Sequence, residues 1–254
     1  MLAVNRVTSY FDASGGQEHE FIIVAGYLST VGKWNKFDTE WRRVLARAEF
    51  NVPYFHMWEF AHSERVFKGW KGEENRRRRF INCLVGLIGE YALAGFACGI
   101  EKSVWDDLDR EYALSDSFGC PFALAGRDCV NKAHYWGEAM HHYGRNEIRA
   151  LFEDGDDRKG DLMRVIKEAQ KPNLVFEPGR PNPKLNHPGT TPLQAADFAA
   201  WELLKATKVG DLPLQELRVS LQKLSKAVPV SWTQYKESDF MALCSLGGLA
   251  RRKL

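Results

Sequence analysis

The sequence has no Cys-x-x-Cys pair, no marked excess of one charge and no long apolar run, and each absence excludes a class of protein. Its cysteines are odd in number and scattered, which is typical of free thiols in a reducing compartment and argues against a disulfide framework or a zinc ribbon. They are Cys83, Cys98, Cys120, Cys129 and Cys244. The sequence therefore predicts a cytoplasmic protein.

Membrane attachment is the second class that the sequence argues against. No apolar stretch approaches the roughly 20 residues of a membrane span, and the N-terminus, MLAVNRVTSYF, lacks the basic and then apolar pattern of a signal peptide. The 35 basic and 33 acidic residues nearly balance at a net charge of +2. Composition alone thus indicates no membrane and no polyanionic partner, and a nucleic acid would have to bind through local patches.

The 254 residues, 44% of them apolar, suffice for one sizeable core. No internal repeat and no low-complexity linker divides the chain. We therefore expect a main domain over residues 1–210 and a C-terminal helical extension over residues 211–254 packed on the same domain.

The hydrophobic pattern changes period along the first part of the chain. Leu2–Phe11 alternates as a half-buried strand does, and Phe21–Leu28 is continuously apolar, as expected for a strand covered on both faces. Together they predict a hairpin in the centre of a sheet. From Trp34 onward the apolar residues recur at helical spacing, so an amphipathic helix should lie on that sheet. The pattern predicts an α/β fold.

Three acids stand where they can be exposed to solvent and still be anchored on a buried scaffold. Asp12 ends the first strand before a Ser-Gly-Gly turn, and Glu153 ends the apolar run IRALF. Asp197 lies in QAADFAA, on a helix that Pro192 opens. A carboxylate in such an apolar context is costly unless it is paired, which implies a metal ion or a basic partner.

Carboxylates from separate elements are the ligands that Mg²⁺ or Mn²⁺ takes in proteins, without histidine or cysteine. The sequence thus predicts Asp12, Glu153 and Asp197 as metal-binding and catalytic residues. A fourth carboxylate is left open among Asp154, Glu18 and Glu20.

Four further residues are candidates for substrate binding, and each has a structural alternative. His56 lies among four aromatic residues, where it could be a hydrogen-bonded core histidine. Gln194 falls at the capping-box position of its helix. Arg76 and Arg79 share a face of a helix start, where cations oppose the helix dipole; a solvated helix start and a phosphate contact both fit them.

Several motifs together resemble one bacterial family, the one catalogued as domain of unknown function 3800, which is grouped with ribonuclease H-like folds. The similarity extends from about Val7 to about Ala206. The motifs are Tyr10-Phe11-Asp12-Ala13-Ser14-Gly15, Ala25-Gly26-Tyr27, Trp34 with Trp41, Phe55-His56, Phe152-Glu153 and Leu193-Gln194-Ala195-Ala196-Asp197.

This resemblance implies a ribonuclease H-like mixed sheet with an N-terminal hairpin, flanking helices and helical insertions. The opening aspartate of the family falls on Asp12, its strand-end acid on Glu153 and its helix aspartate on Asp197. Two departures stand out. Ala13 replaces an acid that usually follows the opening aspartate, and Glu153 replaces a more common aspartate.

Hydrolysis of phosphodiester bonds by two divalent cations about 3.5–4 Å apart is the chemistry that such a set of acids suits. The leading hypothesis is a nuclease that uses Mg²⁺ or Mn²⁺ on RNA or DNA, and the resemblance implies a defence or toxin context. The loss of an acid at Ala13 motivates the alternative, a non-catalytic module that binds nucleic acid or a partner protein. Hydrolysis of another phosphate ester, such as a nucleotide, and assembly with a second copy are left open.

Overall fold

A six-stranded mixed sheet forms the centre of the computed structural model, which describes residues 6–16, 18–144, 147–155, 157–168, 174–207 and 216–252. The strand order is β5-β4-β1-β2-β3-β6. Only β2 is antiparallel to its neighbours; β4 and β5 extend the sheet parallel to β1, and β6 lies parallel to β3. The strands are β1 (Val7–Ser14), β2 (Phe21–Thr30), β3 (Ala94–Glu101), β4 (Ile148–Glu153), β5 (Leu174–Glu177) and β6 (Val230–Tyr235).

Helices cover both faces of this sheet. Within the described ranges none of them combines the length and the apolar character that crossing a bilayer requires. Their bounds are α1 (Val31–Leu45), α2 (Met57–His62), α3 (Glu74–Tyr91), α4 (Lys102–Tyr112), α5 (Leu114–Phe118), α6 (Pro121–Tyr135), α7 (Lys159–Glu168), α8 (Thr191–Thr207), α9 (Val219–Ala227) and α10 (Glu237–Gly247).

The predicted hairpin is confirmed. Strands β1 and β2 pair antiparallel, and β2 lies between β1 and β3. Both faces of β2 are buried because helices pack on both sides of the sheet. Ile23 joins the core under α1, α3 and α8, whereas Val24 joins the core under α4, α6 and α7. The alternation in β1 likewise sends Phe11 to the second core and turns Asp12 toward the face that carries α8.

The first part of Leu2–Phe11 lies outside the described residues, and the strand itself begins at Val7 and continues to Ser14. Thr30 caps α1 with a hydrogen bond from the Lys33 amide. The α/β architecture of a mixed sheet flanked by helices is thus as expected.

The C-terminal part differs in one element from the predicted helical extension, in which Val228–Trp232 is expected to cross between two helices. Residues Val230–Tyr235 form β6, which pairs in parallel with the outer edge of β3, from Gly95 opposite Val230 to Ile100 opposite Tyr235. The side chains of β6 are largely exposed, so its sequence carries little of the hydrophobic alternation that marks a strand. The hydrogen-bonding edge of β3 decides its conformation, and this part of the chain completes the main sheet.

The close contact between β1 and β2 depends on Gly26. A Cβ atom at this position would lie 1.8 Å from the carbonyl oxygen of Tyr10 and 2.8 Å from the Phe11 ring, so one of the strands would have to move. Because Tyr10 and Phe11 precede Asp12 directly, this contact also supports the position of that carboxylate.

We expect Gly26→Ala to lower the free energy of unfolding by about 1–3 kcal/mol, the usual cost of overpacking. Urea denaturation measures the effect. Gly86→Ala is the matched control: Gly86 is exposed inside α3 with nothing within 4 Å of an added Cβ, so this change should raise stability by about 0.5–1 kcal/mol. Equal effects of the two substitutions would contradict the packing argument.

Candidate functional site

The parallel pairing of β1 and β4 brings two of the predicted acids to one edge of the sheet. Phe11 lies opposite Phe152 in the register, and both side chains belong to the core under α6 and α7. One residue further along each strand, Asp12 and Glu153 therefore point to the other face, where α8 lies. The two carboxyl groups are hydrogen-bonded to each other.

The third predicted acid comes from α8. This helix packs on β1 and β2, and its small residues, Ala195, Ala196 and Ala200, are fully buried, which lets its backbone approach the sheet closely. Asp197 is 8% exposed. Its Oδ2 atom accepts a hydrogen bond of 2.5 Å from the backbone amide of Met57, at the start of α2.

All three acids line one cavity of about 650 Å³, which we call the carboxylate cavity. His56, Trp58, His62 and Arg180 lie on its other sides. Residues from two strand ends, two helices and two loops thus meet at a single place, although they are spread over most of the chain.

Burial is the main electrostatic effect on these acids. It raises the pKa of Asp197 to about 7; the nearby Glu153 adds to this rise, and the Met57 amide and the Arg180 guanidinium oppose it. Burial and the charges of Glu153 and Asp197 raise the pKa of Asp12 well above its usual value. Burial also raises the pKa of Glu153. Without a cation, protons therefore stay on this group of acids at a pH at which free carboxylates are ionised.

The donor set fits a hard divalent cation, because it consists of carboxylate oxygens whose mutual repulsion and desolvation such an ion would relieve. Among the described residues, however, no three side chains of His, Cys, Asp or Glu already form a metal-binding group. Instead, the carboxyl groups of Asp12 and Glu153 are hydrogen-bonded to each other. Asp154 and Glu18, two of the three candidates for a fourth carboxylate, also line the cavity, whereas Glu20 is not among its lining residues.

Arg180 is a site residue that the sequence did not reveal. It follows β5 in a loop rich in proline, where nothing in the local pattern distinguishes it. Its Nη1 atom donates a hydrogen bond of 3.1 Å to Glu59, which is 1% exposed and also accepts from the Tyr54 hydroxyl at 2.9 Å. A buried acid thus holds a cation beside the carboxylates. The one feature of the sequence that indicates such a cation is its partner Glu59, an acid in the aromatic run NVPYFHMWEF.

His56 lies in the carboxylate cavity, so its position is compatible with the predicted contact to substrate. Its Nδ1 atom is buried without a hydrogen bond and lies 3.7 Å from Glu59. Burial and the charges of Arg180 and Arg65 lower the pKa of His56 to about 4, so the imidazole is neutral at neutral pH.

The structure corrects both interpretations of Gln194. Its Oε1 atom accepts hydrogen bonds from the Trp41 indole and from the backbone amide of Phe55, each at 2.9 Å, and its Nε2 atom donates to the Gly179 carbonyl at 3.0 Å. It is 3% exposed and absent from the cavity lining. Gln194 is therefore neither a helix cap nor placed to bind substrate; it fixes the segments that precede His56 and Arg180.

The structure places Arg76 and Arg79, both predicted to bind substrate, away from the carboxylate cavity. Arg76 donates to the backbone carbonyls of Glu49 and Phe50 at 2.7 and 3.0 Å and lies over the Trp70 ring. Arg79 pairs with the Glu49 side chain at 3.3 Å. Both are absent from the lining of the carboxylate cavity, because the helix face they share packs on the loop that follows α1.

Comparisons of the chain with protein-family models, curated proteins and solved structures found no match. The resemblance to the family of unknown function 3800 stays a prediction from the motifs.

The raised pKa of Asp197 predicts how stability depends on pH in EDTA. Between pH 3.8, the ordinary pKa of an aspartate, and about pH 7, the folded protein keeps the proton on Asp197 while the unfolded chain loses it. The stabilisation from this proton is therefore complete at low pH and is lost as the pH rises to about 7. We expect the Tm of the wild type to fall over this range and that of Asp197→Asn to fall less. At pH 8 the variant should melt several degrees higher.

Asp107→Asn is the control for this experiment, because the Asp107 side chain is 70% exposed on α4, on the other face of the sheet. Its Tm should follow that of the wild type at every pH. Differential scanning fluorimetry measures the Tm of all three proteins at each pH. A Tm profile of Asp197→Asn parallel to that of the wild type would contradict the assigned desolvation.

Proposed function

We propose that this protein is a metal-dependent nuclease, which hydrolyses phosphodiester bonds in nucleic acid on a ribonuclease H-like fold. The observation that carries the proposal is the convergence of Asp12, Glu153 and Asp197 in one cavity. These acids come from two neighbouring strand ends and a helix that packs on them, and their desolvation is difficult to explain without a cation.

The sheet supports the fold part of the proposal. It begins with an antiparallel hairpin, is mixed, and is flanked by helices on both faces, as the resemblance implies. Asp12 and Glu153 lie at the carboxyl ends of adjacent parallel strands, β1 and β4, where ligands commonly bind in open α/β sheets.

Asp12, Glu153 and Asp197 are the residues that would hold Mg²⁺ or Mn²⁺. When bound, such ions supply a hydroxide nucleophile at neutral pH and stabilise the leaving oxygen. The raised pKa values imply that ion binding releases protons from this group, so binding should weaken as the pH falls.

The remaining side chains of the cavity suit a phosphate substrate. The Arg180 guanidinium, held on Glu59, presents a cation beside the acids and can bind phosphate oxygens. Neutral His56 can orient a water molecule or a substrate hydroxyl through its ring nitrogens. All five cysteines are free, which supports the cytoplasm as the compartment of the proposed enzyme.

Mn²⁺ should stabilise the protein in a manner that depends on pH. At pH 8 we expect Mn²⁺ to raise the Tm by several degrees, since a ligand that binds only the folded state stabilises it. At pH 5 the rise should be much smaller, because protons compete for the same oxygens. Asp12→Asn should remove the rise at pH 8, and Asp107→Asn should keep it. An equal rise in the wild type and in Asp12→Asn would contradict the proposed ligands.

Cleavage tests the catalytic part. We expect Asp12→Asn and Asp197→Asn each to lower Mn²⁺-dependent hydrolysis by more than about 100-fold, beyond the 10–100-fold typical of residues that only orient ligands. Labelled RNA, DNA, hybrid duplex and free nucleotides are the substrates, and gel analysis measures the products. Asp107→Asn should remain active.

Undiminished cleavage by purified Asp12→Asn would reject the nuclease assignment. The absence of any Mn²⁺ affinity that depends on Asp197 would favour the alternative of a binding module. The observation behind that alternative is Ala13, which lines the carboxylate cavity at a position where a second carboxylate is lacking.

A further inference from the structure

A second cavity, of about 470 Å³, opens directly beside the carboxylate cavity. We call it the basic cavity, because Lys71, Arg77, Lys205 and Arg218 line it. His62, Trp201 and Lys205 line both cavities, so the two are adjacent. Basic side chains therefore line the surface next to the carboxylates, along one side of α2.

Positive charge exceeds negative charge in the basic cavity. Arg218 is paired at 3.0 Å with Glu202, which is fully buried, and Glu74 is the acid in the lining. The excess is carried by Lys71, which is exposed, and by Arg77. Such a concentration attracts a polyanion although the whole chain carries a net charge of only +2.

The side chain of Arg77 is held in place rather than mobile. Its Nη1 atom donates to the Ser63 hydroxyl and its Nη2 atom to the Phe60 carbonyl, each at 2.9 Å. The guanidinium carbon lies 4.2 Å from the centre of the Phe60 ring. A fixed guanidinium loses little entropy when it binds a phosphate, which suits a site that recognises an anion.

An exposed aromatic pair stands between the acids and the cations. Trp58 is 47% exposed, and its ring lies against that of His62 with centroids 4.6 Å apart and an angle of 32° between the planes. The Nδ1 atom of His62 contacts the Trp58 carbonyl at 2.8 Å, which fixes the imidazole. Both side chains line the carboxylate cavity. A half-exposed tryptophan at the mouth of a polar cavity offers a flat surface for a ligand.

We propose that these two features bind single-stranded nucleic acid, with an unpaired base stacked on Trp58 and the adjoining phosphates in the basic cavity. The inference rests on the proposed function, since it names the substrate class of the same centre. Stacking on an aromatic side chain together with a positive groove is the general way in which proteins hold single strands. The paired bases of a duplex stack on one another and do not present their faces to Trp58.

Fluorescence anisotropy with labelled strands on the order of 10 nucleotides, in EDTA, measures binding separately from cleavage. We expect Trp58→Ala to weaken binding of the single strand by about 10-fold, the usual effect of losing one stacked base. The affinity for a blunt duplex of the same sequence should change by less than about twofold. RNA and DNA strands are measured in parallel, which tells whether the sugar matters.

Lys71→Glu tests the basic cavity. It should weaken binding of the single strand and reduce the slope of log affinity against log salt by about 0.7 for each phosphate that the protein no longer neutralises. Lys36→Glu, at an exposed position of α1 outside both cavities, is the matched control for charge. Tyr135→Ala is the control for an exposed aromatic residue, since Tyr135 is 69% exposed on the other face of the sheet.

Circular dichroism and Tm values close to those of the wild type establish that the variants are folded. If folded Trp58→Ala binds the single strand within twofold of the wild type, or if Lys36→Glu weakens binding as much as Lys71→Glu, the proposal is overturned. This failure is distinct from that of the nuclease assignment, which concerns cleavage by Asp12→Asn in Mn²⁺. A protein whose binding depends on Trp58 but which never cleaves would retain the strand-binding surface and lose the nuclease assignment.

Discussion

The concentration of three like charges in one desolvated cavity is the constraint on which the rest of the site depends. Burial raises the pKa values of all three carboxyl groups; the charges of Glu153 and Asp197 add to the rise at Asp12, and the charge of Glu153 adds to the rise at Asp197. The chain offsets part of this cost with the Met57 amide and the Arg180 guanidinium. Such an arrangement destabilises the metal-free fold, as expected for a site built for a cation.

One neutral side chain holds the surroundings of this charged group. Gln194 joins α1 through Trp41, the segment before α2 through Phe55, and the loop after β5 through Gly179. His56 and Arg180 are the next residues in the last two of these segments. Because a buried amide with three partners allows few alternative positions, it keeps the imidazole and the guanidinium at the cavity. The helix that carries Asp197 therefore also positions residues it does not contain.

The neighbouring carboxylate and basic cavities give the surface two regions of opposite charge around α2. Attraction between the acids and the nearby cations stabilises both groups. Lys71 nevertheless remains exposed, and the fixed Arg77 faces the basic cavity. Phosphates in the basic cavity would lead a strand toward the acids, where the charge that repels phosphate has to be neutralised by a bound cation. The proposed metal ions would therefore strengthen the binding of a strand that Trp58 and the basic cavity already hold without them.

The sequence by itself determined the hairpin, the faces of β1 and the helix α8, and it singled out the three acids that meet in the carboxylate cavity. The hydrophobic period, the turn residues and a proline at the start of a helix are local signals, which can be read without knowing any distant contact. Only the tertiary structure decided the partners of Gln194, which lies 153 positions from Trp41, and the pairing of Arg180 with Glu59, 121 positions away. It also turned Arg76 and Arg79 toward the loop after α1 and made a strand of Val230–Tyr235. These features depend on which surfaces meet when the sheet and helices pack, and the local pattern around each residue carries no record of that.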